Sequence, residues 1–66
     1  MAQFRVETVY DETSNRYFIE LYQKDGDLPI VVGKPIYFSH EHAMADAVEM
    51  LKKAMPSQPI TAWREQ

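Results

Sequence analysis

Between Ser39 and Pro56 the apolar residues Met44, Ala47, Val48, Leu51, Ala54 and Met55 recur at steps of three and four. That spacing lays one apolar stripe along a helix of about four turns. Ser39 offers a side-chain oxygen to the free amides of the first turn, and Phe38 before it is placed to pack as a hydrophobic staple near Ala43. Glu49 precedes Lys53 by four residues, Lys52 and Lys53 suit the negative end of the helix, and Pro56 stops it. A chain with a single amphipathic helix has to bury its stripe on something other than a second helix, so the remaining residues must supply a sheet.

They contain the material for one. Phe4, Val6, Thr8 and Tyr10 alternate with Arg5, Glu7 and Val9, which predicts a first strand over residues 3–10. Residues 11–15, Asp-Glu-Thr-Ser-Asn, are types that bond their own backbone, and Asn15 tolerates a left-handed conformation, so the chain turns back there. Residues 16–23 are rich in aromatic and branched side chains and form the second strand. An Asp-Gly turn at residues 24–27 leads into a third strand over 28–32. Pro29, Gly33 and Pro35 mark that strand as an edge, broken near Gly33 and resumed at residues 36–38. After the helix, residues 56–59 are a linker and residues 60–64 a short fourth strand.

The expected architecture is therefore a single α+β domain over residues 1–66: a three-stranded antiparallel meander, one helix on one face, and a fourth short strand, βββαβ. A right-handed crossover from the helix sets the fourth strand parallel to the first, in spatial order 3-2-1-4. A chain of 66 residues buries only roughly 60% of its unfolded surface. Domains of this size usually lean on disulfides, a structural metal or a second copy. Cysteine is absent, which removes disulfides and thiolate zinc sites and agrees with a reducing, cytoplasmic setting. No targeting segment or membrane-crossing run is visible.

The sequence offers little chemistry. Net charge is −3, from seven Lys and Arg against ten Asp and Glu, and the basic residues are scattered, so nucleic acid is not an expected partner. His40 and His42 flank Glu41, yet residues two apart on a helix point about 200° from each other and cannot hold one ion. His40 falls at the edge of the buried stripe and His42 in solvent. His42, Asp46 and Glu49 share a face at steps of four and three; such a row can bind a divalent metal weakly, but it is more often a solvated helix face with nothing behind it to orient the ligands. Ser14, Ser39 and Ser57 have turn or cap roles, and no glycine-rich phosphate loop exists. No catalytic residue, metal or cofactor is expected.

What remains is surface. If Tyr17, Ile19 and Leu21 face the helix, Phe18 and Tyr22 point to the other side of the sheet, with Val9, Val31 and Tyr37 as candidates to join them and Trp63 from the last strand. Phe18, Tyr22 and Trp63 are thus the candidate partner-binding residues, for a homodimer or another protein; an edge strand three or four could also extend the sheet into a second copy, although Pro29, Pro35 and Pro59 restrict such pairing. The competing reading is that these aromatics are scattered and partly covered by the loop at 33–37 and the C-terminal tail.

Tyr17, Phe18, Leu21, Gly26, Tyr37, Ser39 and Ala47 fall in a pattern that resembles the YegP-like small bacterial domains: an aromatic second strand, a turn ending in glycine, an aromatic before serine, and an alanine-rich helix. The element order is also similar to HicB-like antitoxin domains, a partial ribonuclease-H-like fold. This chain lacks their proline-glycine-cysteine stretch before the helix and their appended DNA-binding segment. The first likeness implies an α+β module without assigned chemistry. The second implies a regulatory protein contacting nucleic acid or a toxin-like partner, for which Arg5, Arg16, Lys34 and Arg64 would have to form one basic strip.

Overall fold

The computed structural model describes residues 2–65. In chain order they form β1 (Ala2–Asp11), β2 (Arg16–Gln23), β3 (Val31–Val32), α1 (His40–Ala54) and β4 (Ile60–Glu65). The four strands make one sheet in the order β3-β2-β1-β4. β2 is antiparallel to β1 and to β3, and β4 is parallel to β1. This is the α+β arrangement and the strand order that the sequence predicts.

The first turn forms as its residue types dictate. Asn15 takes a left-handed φ of 57° and donates its amide to the Asp11 carbonyl (2.9 Å), while Ser14 Oγ donates to the Asp11 carboxylate (2.8 Å).

The third strand departs from expectation, shrinking from residues 28–32 to two. Ile30 and Gly33 both donate inward, to the carbonyls of Leu21 (2.7 Å) and Ile19 (2.8 Å). Those donors are three residues apart where regular alternation gives two, so the strand is bulged between them. Pro29 and Pro35 on either side have no amide to extend the ladder. Pairing resumes only as one bridge, in which Tyr17 and Tyr37 exchange both hydrogen bonds (2.8 and 3.1 Å).

The helix packs on one face over Phe4, Val6, Ile19 and Leu21. Ser39 caps it, its side chain accepting from the His42 amide (3.0 Å), and the Met55 amide closes it by donating to the Leu51 carbonyl (3.0 Å). Its buried line is Ala43, Ala47 and Leu51, with Met44 and Met55 packed beside it, Val48 half-buried and Ala54 exposed. The buried line therefore lies toward Ala43 of the stripe that the spacing predicts.

Two further expectations are corrected. Phe38 does not staple against Ala43. The Tyr17–Tyr37 bridge turns the Tyr37 side chain into the core, and alternation along the chain sends Phe38 outward, where it lies parallel to the His42 ring (6.0 Å between centroids) beneath the Arg16 guanidinium (4.5 Å). Val31 and Tyr37 also do not join the far face: their partners, Leu21 and Tyr17, are on the helix side. Among the described residues, no helix is long and apolar enough to cross a membrane.

Candidate functional site

Three regions could carry function: the uncovered sheet face, the polar corner at the start of the helix, and the rim around β3.

On the uncovered face the register pairs Arg5 with Tyr22 on one side and Trp63 on the other, Glu7 with Glu20, and Val9 with Phe18. Phe18, Tyr22 and Trp63 therefore share this face, with Tyr22 and Trp63 flanking Arg5 and Phe18 beyond Glu20. They do not form a continuous apolar surface. The Arg5 guanidinium lies over the Tyr22 ring at 4.2 Å and donates to the Gly26 carbonyl (3.3 Å), leaving Tyr22 only 9% exposed. Arg5 also meets the Glu7 carboxylate at 3.7 Å, and the Tyr22 hydroxyl donates to Glu20 (3.3 Å). Desolvation, then the charges of Glu20 and Glu7, push the Tyr22 hydroxyl pKa up against the opposing pull of Arg5. Phe18 and Trp63 are half-buried.

The four basic residues do not make one strip. Arg5 is on the uncovered face, whereas Arg64, paired with Val6, is on the helix side, and Arg16 rests on Phe38.

At the corner, Arg64 Nε donates to Thr8 Oγ1 (2.8 Å), and Thr8 Oγ1 lies 2.6 Å from His40 Nδ1. Thr8 Oγ1 thus accepts from Arg64 and shares a second hydrogen bond with the His40 ring, joining β1, β4 and the helix at one hydroxyl. The His40 ring also stands edge-on to Tyr17 (4.5 Å). His40 is thus half-buried against the sheet, where the helix period puts it. Sequence reasoning missed Thr8 and Arg64, since nothing local relates residues 32 and 56 positions apart from their partners.

His42 is exposed, accepts from the Phe38 amide (3.3 Å), and meets the Tyr37 ring edge-on (5.2 Å). Asp46 accepts the Tyr37 hydroxyl, and burial together with this carboxylate pushes the Tyr37 pKa up to about 12. Among the described residues no three His, Asp or Glu side chains are grouped to hold a metal ion, so His42, Asp46 and Glu49 do not converge.

The rim is where apolar surface is exposed. Leu28 (80%), Phe38 (68%), Ile36 (58%), Val32 (57%), Ile30 (50%) and Val31 (45%) are six of the eight large hydrophobic residues exposed among the described residues. A seventh, Met50, lies beside them across an apolar cleft of about 260 Å³. Phe4 and Leu21 from the sheet, Ile30 and Val31 from the rim, and Met50, Leu51, Ala54 and Met55 from the end of the helix line the cleft. None of these lining side chains is charged. Among the described residues β3 is the outer strand, with no neighbouring strand on its far side. The sequence carries a signal for the rim: residues 28–38 include a single charge, Lys34.

Comparison with protein-family models, with curated proteins and with solved structures finds no match to this chain.

Proposed function

We propose that the chain is a small, non-enzymatic protein-binding module whose contact surface is the rim at residues 28–38 with the adjoining cleft. One observation carries this reading: exposed large hydrophobic residues gather at one sheet edge and continue into a pocket of the same character. A contiguous apolar patch is the usual mark of a protein contact on a small domain. A catalytic cleft needs convergent polar groups, and the lining of this one supplies none. The rim is favoured over the uncovered sheet face because Phe18, Tyr22 and Trp63 are interleaved there with Arg5, Glu7 and Glu20. A cysteine-free chain suits the cytoplasm, where we place it.

Affinity capture from native cells, comparing the wild-type chain with Val31→Lys, a cleft-lining residue on the helix side of the rim, tests the reading. Proteins retained by the wild type and lost with the variant support it. Proteins retained equally by both would move the contact elsewhere, and recovery of nucleic acid would favour the regulatory function that the HicB-like resemblance implies.

A further inference from the structure

We propose that the occupant of the rim is a second copy of this chain, with β3 set antiparallel to its counterpart about a twofold axis; this rests on the rim being a contact surface at all. Three features point to a copy of the chain over an unrelated partner.

The first is charge. Asp27 and Lys34 are the only charged residues from 27 to 38, one on each side of residues 28–33, the part of the rim that contains β3. Both are exposed. An antiparallel twofold arrangement brings the Asp27 end of one copy to the Lys34 end of the other, twice, so the patch complements itself. A parallel arrangement would set like charges together.

The second is the form of the edge. Among the described residues, no strand of its own sheet pairs with the outer side of β3. Pro29 and Pro35 bracket the five residues between them, so a strand added there can be only short. A short isologous contact closes at two copies, whereas stacking of the β3 edge on the β4 edge of the next copy would propagate without end.

The third is scale. A stable interface buries about 800 Å² on each partner, about a sixth of the 4558 Å² surface of this chain. Six rim side chains at 45–80% exposure, with the cleft beside them, are surface of the right kind for that area.

The experiment is sedimentation equilibrium of the purified chain over a wide concentration range. The expected result is a species of twice 7.7 kDa at high concentration, dissociating on dilution. Lys34→Asp should weaken association at least tenfold, and Asp27→Lys combined with Lys34→Asp should restore most of it. Both positions are exposed, and circular dichroism of each variant reports whether the fold is kept. A 7.7 kDa monomer at every concentration would overturn the inference while leaving capture of a different protein, and thus the binding-module reading, standing. A dimer whose affinity is unmoved by Lys34→Asp and lost on Phe18→Ala would also overturn it and place the contact on the uncovered face.

Discussion

Tyr37 donates its hydroxyl to the Asp46 carboxylate, tying the segment that enters the helix to the helix's second turn. Tyr37 is also bridged through its backbone to Tyr17, so one residue joins sheet, rim and helix. A hydrogen bond to a charged group contributes about 1.5–3 kcal/mol. Tyr37→Phe should therefore lower stability by roughly 2 kcal/mol, a drop of about 8–16 °C in Tm for a domain this size. Thermal denaturation followed by circular dichroism measures it.

The same contact sets an alkaline limit. The folded pKa of Tyr37 is raised from 10.0 to about 12, so the folded state holds this proton more tightly than the unfolded chain does. Its contribution is fully present below pH 10 and is lost as pH rises through about 12. Urea midpoints of the wild type should fall across that window more than those of Tyr37→Phe, which has no hydroxyl to titrate. Parallel declines would contradict the assignment.

Thr8 links Arg64 on β4 to His40 on the helix. Thr8→Val keeps the shape and removes both hydrogen bonds, which should cost about 1–2 kcal/mol at this half-buried site. The urea midpoint should fall while the slope of the transition stays constant. No change would mean that water replaces the hydroxyl without loss.

Gly33 is held tight against β2. A Cβ there would lie 3.0 Å from Ile19 Cγ1, and Ile19 is fully buried and cannot yield freely. Alanine gains about 0.4–1 kcal/mol from a stiffer unfolded chain, but overpacking typically costs 1–3. Gly33→Ala should be destabilising by roughly 1 kcal/mol and should push β3 off β2, weakening association as well as folding.

Much of this architecture is legible in the sequence because it is written in local periods. The helix stripe, the two long alternating strands and the Asn15 turn each depend on residues a few positions apart. Even the parallel placement of β4 follows from chain connectivity. Local reasoning fails where a single backbone exchange decides orientation. The Tyr17–Tyr37 bridge turns Tyr37 into the core and Phe38 into solvent, and no pattern within residues 33–39 specifies that partner. The Arg5 guanidinium over Tyr22 is likewise a cross-strand event, and it converts an expected aromatic patch into a polar-capped one. The rim was within reach of the sequence, since the near absence of charge from Leu28 to Phe38 contrasts with the charged turns around it.

The most direct measurement of where this chain makes contact is an amide NMR spectrum recorded over a dilution series, with Trp63 fluorescence followed in parallel. If the rim is the contact surface, concentration-dependent shifts will concentrate in residues 28–38 and in the helix end around Met50 and Met55, and Trp63 emission will stay constant. Shifts centred on Phe18, Tyr22 and Trp63, with emission that changes on dilution, would contradict the account.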